Sequence, residues 1–367
     1  MRLTLFLDHA CNLACTYCYN GEKFKNPMTM DTARKAVDLV LAMDSPLAQV
    51  GFFGGEPMLH FDLMKEITRY IEHRTHATAE KVKLVLTTNG TLLTQESLEW
   101  MKQHYFHLGV SIDGNAAAHN ACRRYVNDRN SHEEVEAGIK RALALHLPLK
   151  TISVVDPLNV EHMADSLEYL LGFGIRNMSF NLNYEAQWDE TNLERFKNAF
   201  TAFTDRYIEL YRSEPQPFRV NILDSKIVTH VKGGFACTDR CDFGCQELAV
   251  SPTGKLYPCD RLIGEDDRED VVIGDVVRGV DIKKRDNLVH TKNVELDECR
   301  ECDIVDRCMH WCGCVNYAMT GSVAEVSGLL CWFEQIMVEQ ADRAANTLFV
   351  EQNENFVKRF YKFALKP

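Results

Sequence analysis

The chain has 367 residues, of which 46% are hydrophobic and 26% are charged, a composition that can fill more than one globular core. The formal net charge of -12 predicts no nucleic-acid partner, because phosphate binding needs a basic face. No apolar run approaches the roughly 20 residues of a membrane span, and the run before Asp8 is too short for a signal peptide. A cytoplasmic location without membrane contact is therefore expected.

Short apolar segments alternate with amphipathic helical patterns in the first half of the chain. Strands are predicted at 3–8, 49–53, 82–88, 108–112, 150–155 and 177–183. Helices are predicted between them, and Ser131 with Glu134 matches a capping box at the start of one helix. This alternation predicts an α/β fold with parallel strands, arranged as a partial (β/α)6 barrel of the TIM type.

Three more helices are predicted further along the chain, at 190–212, 221–231 and about 331–362. The first carries an aromatic stripe, which we interpret as core packing. Gly233-Gly234 then opens a second cysteine-rich region. We therefore place a domain boundary near residue 232, which gives a barrel domain at 1–232 and a smaller domain with a C-terminal helix at 233–367.

Polar sequences follow each of the first four predicted strands. In chain order they are the cysteine loop 11–18, Gly54-Gly55-Glu56-Pro57, Thr87-Thr88-Asn89-Gly90 and Ser111-Ile112-Asp113-Gly114. The carboxyl ends of parallel strands meet at one edge of a sheet, where the chemistry of barrel enzymes is found. Four loops are therefore expected to converge on one mouth.

The 14 cysteines fall mainly in two regions. Cys11, Cys15 and Cys18 lie at the front, Cys122 is alone, and the other ten lie between residues 237 and 331. Metal binding is a better interpretation than disulfides in a chain without an export signal. Three soft ligands in one loop predict a metal site with an open position, with a zinc knuckle or disulfide cysteines as the alternatives.

The pattern Cys11-x3-Cys15-x2-Cys18, with Tyr17 before the third cysteine, closely resembles the defining motif of the radical S-adenosylmethionine (SAM) superfamily. The resemblance implies a 4Fe-4S cluster with one iron left for SAM, and a 5'-deoxyadenosyl radical on reduction. It also implies that the SAM amino group is contacted by Gly54, Gly55 and Glu56. The ribose and nearby polar groups would be contacted by Asn89, Ser111 and Asp113. The Arg123 guanidinium would pair with the methionyl carboxylate of SAM. Arg124 is an equally available partner for that carboxylate.

The second cysteine region resembles a SPASM domain, the extension of radical enzymes that mature peptides and proteins. The family's interleaved pattern implies one auxiliary 4Fe-4S cluster on Cys299, Cys302, Cys308 and Cys331. A second cluster would then use Cys259, Cys312, Cys241 and Cys245, with Cys237 as an alternative ligand. Two zinc ribbons remain the competing interpretation. Cys314 is a spare ligand or a plain thiol, and Cys122 is a small buried residue.

Two subfamilies compete for the function. Asp260 after Cys259 matches the base of anaerobic sulfatase-maturing enzymes, which oxidise a Cys or Ser to formylglycine, although a turn-capping role is also open. Phe53 stands where those enzymes carry Gln, and this favours maturases that cross-link, cyclise or epimerise ribosomally made peptides. The expected partners are a peptide or protein substrate and a flavodoxin- or ferredoxin-like electron donor. Substrate recognition is expected from the barrel mouth, from the bridge between the domains or from a separate recognition protein. An iron-sulfur electron carrier without catalysis is the remote alternative.

Overall fold

The computed structural model describes residues 1–43, 45–76, 82–236 and 239–361. Its strands, numbered β1 to β11 in chain order, are Arg2–Phe6, Gln49–Phe53, Lys83–Thr88, His107–Ser111, Leu149–Val155, Asn177–Leu182, Arg219–Val220, Glu247–Val250, Leu256–Tyr257, Gly274–Asp275 and Gly279–Val280. All six strands predicted from the sequence are present, with ends that agree within two residues. Short segments rich in apolar residues and bounded by polar turns were enough to locate them.

The helices are numbered α1 to α13 in the same way. They are Met30–Leu41, Phe61–Thr75, Gln95–Gln103, Ala116–Cys122, His132–Ala144, Met163–Gly172, Glu190–Ser213, Asn221–Lys232, Ile282–Lys292, Asp297–Arg300, Gly313–Thr320, Gly328–Val350 and Glu354–Phe360. The first one shows why such segments are helical. Thr29 caps α1 by accepting from the Thr32 N–H, and its apolar residues recur at helical spacing and are buried.

The chain forms two compact units. The first comprises Met1–Ser111, Arg123–Leu149 and Asp242–Lys292, and the second comprises Ile112–Cys122, Lys150–Cys241 and Asn293–Pro367. The domain boundary near residue 232 stays a prediction. Within the described residues, no helix is both long enough and apolar enough to cross a membrane.

The sheet of the first unit runs in the order β4-β3-β2-β1-β8-β9. Every neighbouring pair is parallel except β8 with β9. β1 is central and its residues Leu3, Leu5 and Phe6 are buried, as expected for a parallel strand covered on both faces. The sequence analysis missed β8, which joins this sheet from beyond the predicted boundary.

The second unit contains the parallel strands β5, β6 and β7 and a layer of long helices. Helix α12 packs against α7 and α8. The predicted aromatic stripe on α7 lies in this core, where the rings of Phe196 and Phe333 are 4.8 Å apart in an edge-to-face contact. The interpretation of that stripe as core packing is confirmed.

Two local predictions were wrong. Ser131 is the N-cap of α5 but makes no side-chain cap bond, because its hydroxyl donates to the Arg123 carbonyl at 2.8 Å instead. The single helix predicted at about 331–362 is two helices, α12 and α13. The chain turns at Gln352, whose φ is 53°, and Asn353 then caps α13 by accepting from the Phe356 N–H at 3.0 Å. Residues 362–367 lie outside the described part of the chain.

Candidate active site

The cysteine loop follows β1 at the carboxyl edge of the first unit's sheet. The thiols of Cys11, Cys15 and Cys18 are all half-buried. Leu13 anchors the loop because its side chain is fully buried and its N–H contacts the Cys11 sulfur at 3.4 Å. Burial, together with smaller effects of the charges of Glu56 and the other two thiols, raises the pKa of Cys11 to about 12. The three thiols therefore share one partly accessible loop.

Gly54 and Gly55 pack directly against the backbone that leads into the cysteine loop. A Cβ on Gly54 would lie 2.6 Å from the Asp8 carbonyl oxygen, and one on Gly55 would lie 2.2 Å from the Ala10 carbonyl oxygen. The Gly55 N–H donates to the Asp8 carbonyl at 2.8 Å, and φ at Gly54 is 137°. Both positions therefore need glycine for this close approach. Their contact with the SAM amino group stays a prediction.

Glu56 is a buried carboxylate whose two oxygens accept three hydrogen bonds. The Met58 N–H at 2.9 Å and the Thr88 hydroxyl at 2.7 Å donate to one oxygen, and the Asn89 N–H donates to the other at 2.7 Å. Burial raises its pKa to about 7, against the lowering effect of these donors. Glu56 therefore ties the end of β2 to the end of β3.

The buried carboxyl of Glu56 predicts a pH-dependent stability. A carboxyl with a raised native pKa holds its proton better in the folded chain than in the unfolded chain. Its stabilising contribution to the free energy of unfolding is therefore present below pH 4.5 and is lost as the pH rises to about 7. That loss is about 3 kcal/mol of unfolding free energy. We expect Glu56→Gln to remove this pH slope and to cost about 1–3 kcal/mol at pH 4.5, because its amide N–H faces another donor. Urea unfolding at several pH values measures both effects.

The matched control is Glu66→Gln, because Glu66 is exposed on α2. This control is expected to keep the pH slope of the unchanged chain. A Glu56→Gln variant with the same slope as the unchanged chain would contradict the assignment of the slope to Glu56.

Asn89 lies beside the first cysteine of the loop. Its amide nitrogen donates to the Asn12 side-chain oxygen at 2.8 Å and lies 3.7 Å from the Cys11 sulfur. Its amide oxygen accepts from the Thr91 N–H and hydroxyl at 3.0 and 2.7 Å. The predicted loop after β3 is therefore next to the cysteine loop, and Asn12 is a member of this group that the sequence analysis missed.

The structure distinguishes Arg123 from Arg124. The Arg123 guanidinium lies 5.1 Å above the Tyr17 ring and 4.0 Å from the Cys15 sulfur. Arg124 forms an ion pair with Asp128 at 2.9 Å on the surface. Of the two, Arg123 is the cation that contacts the cysteine loop, with Tyr17 as its packing surface.

Ser111 and Asp113 belong to different compact units. Ser111 is half-buried at the end of β4 in the first unit. Asp113 lies in the second unit, where its buried carboxylate accepts from the Val154 N–H at 2.8 Å. Within its own unit, Asp113 thus holds the carboxyl end of β5, and its role toward the ribose stays a prediction.

Asp260 is linked to the cysteine loop by Tyr19, the residue directly after Cys18, whose pKa is affected by burial and by the Asp260 charge. The sequence analysis missed Tyr19. Asp260 begins the turn Asp260–Leu262, and the Cys259 thiol donates to its carboxylate at 3.5 Å. Burial raises the pKa of Tyr19, and the Asp260 charge is the next cause of that shift. The Arg261 guanidinium lies 4.4 Å above the Tyr19 ring, and Phe53 stacks on it at 6.4 Å. The only hint in the sequence is that Tyr19 follows Cys18.

Lys23 is a second missed residue beside the motif. Its ammonium group donates to the Cys18 sulfur at 2.8 Å and to the Gly21 carbonyl at 3.0 Å. A lysine five residues after a cysteine carries no recognisable signal, so only the folded loop reveals this contact.

Four of the SPASM-like cysteines line one cavity of about 620 Å³ in the second unit: Cys299, Cys302, Cys308 and Cys331. The other predicted ligands are divided between the units, with Cys245 and Cys259 in the first and Cys241 and Cys312 in the second. Their grouping on one cluster stays a prediction. Cys237 lies outside the described residues. Cys122 and Cys314 are buried in α4 and α11.

The thiols are not arranged around a single-ion position. Among the described residues, no three His, Cys, Asp or Glu side chains could hold one metal ion together. A zinc ion needs each ligand sulfur about 2.3 Å from one point. The ligand thiolates of a 4Fe-4S cluster instead bind separate irons and lie further apart.

A family model described as the radical SAM superfamily matches residues 7–170. The serine-type anaerobic sulfatase-maturating enzyme of Klebsiella aerogenes is 25% identical over 270 residues, which are 71% of this chain and 66% of that enzyme. The chain spans about two thirds of the length of the first curated relatives, with 62% and 66% covered.

Two solved structures share the fold. Native anSMEcpe with bound AdoMet and Cp18Cys peptide has a TM-score of 0.76 at 19% identity, covering 97% of this chain and 99% of that one. Streptococcus suis SuiB bound to precursor peptide SuiA has a TM-score of 0.63 at 14% identity, covering 90% and 75%. The predicted fold class is confirmed by these likenesses. Residues 7–170, a little under half of the chain, therefore carry a radical SAM domain.

Proposed function

We propose that this enzyme abstracts a hydrogen atom from a residue of a ribosomally made peptide and so installs a cross-link, a cyclisation or an epimerised centre. Its family implies SAM and a 4Fe-4S cluster as cofactors. The proposal is carried by one observation, the grouping of Asn89 and Arg123 around the three thiols of the cysteine loop. A metal-binding scaffold would not need these polar groups.

The residues around the loop fit the cofactors. Three thiols from Cys11, Cys15 and Cys18 leave one iron of a cubane without a protein ligand. Arg123 supplies a cation for the methionyl carboxylate of SAM, and the buried Glu56 keeps the β2 and β3 loops in register beside it. When bound, the reduced cluster supplies the electron that cleaves SAM and so provides the 5'-deoxyadenosyl radical.

The four cysteines of the second-unit cavity are the best-supported auxiliary ligands. All four line the same cavity, where burial is the main cause that raises the pKa of Cys299 and the charges of Cys331 and Cys302 act in the same direction. The chemistry of this set matches a 4Fe-4S cluster with complete cysteine ligation. We assign to this cluster the role of accepting an electron or of holding the substrate. The second auxiliary cluster rests on the family pattern.

Oxidation of a Cys or Ser to formylglycine is the second candidate function, and Asp260 favours it. The carboxylate accepts from the Cys259 thiol at 3.5 Å, and its charge acts on the buried Tyr19. A base at this position would take the proton that a substrate Cys or Ser loses on oxidation. Phe53 favours the first candidate, because its ring occupies the position of a Gln and stacks on Tyr19.

Both solved relatives were crystallised with peptides, which supports a peptide or protein substrate. The cleavage of SAM also needs an external electron donor of the flavodoxin or ferredoxin type. A separate recognition protein is part of the proposal, because we assign no residues of this chain to leader-peptide binding.

Anaerobic reconstitution followed by dithionite and SAM tests the function. We expect about 12 irons per chain and release of 5'-deoxyadenosine. The substrate class is tested with two sets of peptides, one encoded by neighbouring reading frames and one from sulfatases with their target Cys or Ser. A cross-link, ring or epimer in the first set supports peptide maturation, whereas an aldehyde in the second set supports formylglycine formation. Zinc without iron would exclude the enzyme.

Asp260→Asn separates the two candidates further. If Asp260 is the base, this variant is expected to form aldehyde about 10²–10⁴-fold more slowly. Cleavage of SAM and the iron content are expected to stay unchanged. Asp267→Asn, at an exposed position of the following loop, is the matched control. Full-rate product from Asp260→Asn rules out an essential base at this position.

A further inference from the structure

A buried ion pair in the second unit holds the backbone on both sides of Cys308. Lys226 on α8 and Glu334 on α12 are 2.5 Å apart, and their side chains are 2% and 0% exposed. The Lys226 ammonium donates to the carbonyl of Arg307 at 3.0 Å, and the Glu334 carboxylate accepts from the N–H of Met309 at 2.8 Å. The residues directly before and after Cys308 are therefore fixed by one pair of charges.

The same pair is joined to a second ligand of the predicted cluster. Glu334 lies three residues after Cys331 on α12, about one helical turn away. Lys226 and Glu334 thus connect α8, the turn that carries Cys308, and the helix that carries Cys331. Both thiols line the 620 Å³ cavity with Cys299 and Cys302.

An outer set of charges supports this pair. The Arg307 guanidinium forms two bonds with the Asp342 carboxylate, at 2.9 and 2.5 Å, and donates to the Thr229 hydroxyl at 3.2 Å. Asp342 also pairs with His230 at 2.9 Å. The turn before Cys308 is therefore attached to α8 and α12 by its side chain as well as by its backbone.

Fold stability alone does not explain why the pair is buried. Removing two charges from water costs several kcal/mol for each ion, and well-packed apolar residues are often equally stabilising. One oxygen of Glu334 also has no hydrogen-bond partner among the described residues, which adds to that cost. Both charged groups lie close to the chain around the thiol, since they bond to the backbone of Arg307 and Met309, the two neighbours of Cys308.

We propose that Lys226 and Glu334 are positioning residues for the auxiliary cluster bound by Cys299, Cys302, Cys308 and Cys331, and that their opposite charges set its reduction potential. This inference rests on the proposed function, because it requires that cluster. The pair fixes Cys308 relative to Cys331, and its two charges act on the cluster with opposite signs. Charges and hydrogen bonds near the ligand sulfurs are known determinants of cluster potentials.

The test is a charge cycle of Glu334→Gln, Lys226→Met and the double variant. The glutamine oxygen still accepts from the Met309 N–H, so the first change removes a charge and keeps that bond. We expect Glu334→Gln to ease reduction of the cluster roughly tenfold, about 59 mV upward for one electron, because an uncompensated cation remains. Lys226→Met should shift the potential downward, and the double variant should lie between. Redox titration followed by electron paramagnetic resonance measures each value.

The matched control is Glu351→Gln, which removes a carboxylate from an exposed ion pair with Arg212 at the end of α12. Its potential should equal that of the unchanged enzyme. If a Lys226 or Glu334 variant loses about four irons while the melting temperature of its apo chain is unchanged, that result would also support a positioning role for the pair. Equal shifts of both single variants, or no shift with iron retained, would overturn the proposal. About 4 irons in the unchanged enzyme would instead remove the auxiliary clusters and so part of the proposed function.

Discussion

Replacing Cys11, Cys15 and Cys18 together with alanine is expected to abolish reductive cleavage of SAM. The three thiols share one half-buried loop after β1, and they are the ligands proposed for the cluster that cleaves SAM. The variant should keep about 8 of about 12 irons, because the auxiliary ligands lie elsewhere in the chain. Chromatography of 5'-deoxyadenosine after anaerobic reduction, together with iron analysis, measures both effects.

The control for this variant is Cys122→Ala, a change at a buried thiol in α4 that we place in no cluster. Cleavage of SAM should stay within the range of the unchanged enzyme. Retained cleavage in the triple variant would remove the proposed site. A drop to no iron at all would mean that the first cluster is needed for folding, and circular dichroism would detect that failure.

Replacing Cys299 and Cys302 with alanine is expected to produce the reverse pattern. Both thiols line the second-unit cavity with Cys308 and Cys331, so the double variant removes half of one ligand set. We expect a loss of about four irons while SAM cleavage with dithionite continues. Product formation on the peptide should fall if the proposed auxiliary cluster accepts an electron or holds the substrate. Iron analysis and mass spectrometry of the peptide measure the two results separately.

Cys314→Ala is the matched control for the cavity, since this thiol is buried in the neighbouring helix α11. It should keep the full iron content if Cys314 is a plain thiol, and a loss of four irons would identify it as a ligand. Unchanged iron in the Cys299 and Cys302 double variant would contradict the assignment of the cavity to a cluster.

Local patterns were sufficient for much of the fold. Each of the six predicted strands is a short apolar run that ends in polar or glycine-rich sequence, and each was found within two residues. The helices of the first half follow from apolar residues at helical spacing. Local chemistry failed where tertiary contacts competed, as at Ser131, whose hydroxyl binds a distant carbonyl instead of capping its own helix.

The sequence predicted which loops form the candidate site, but not the hydrogen bonds and packing contacts that connect those loops. Gly54 and Gly55 were expected to allow close approach of a ligand, and the structure shows that they allow close approach of the chain itself. Contact of Glu56 with SAM stays a prediction, and the structure adds that its oxygens accept bonds from the end of β3. A residue type and a strand end do not reveal which donors will surround a side chain.

The sequence by itself determined the α/β class, the order of the first six strands and the spacing of the three thiols, because these depend on neighbouring residues in the chain. Only the tertiary structure decided that β8 pairs with β1, that Asp260 lies beside Tyr19, and that Lys226 and Glu334 enclose Cys308. These contacts join residues that lie at least 25 positions apart in the chain. Periodicity extends over a few turns or strand residues, so it carries no information about partners at that distance.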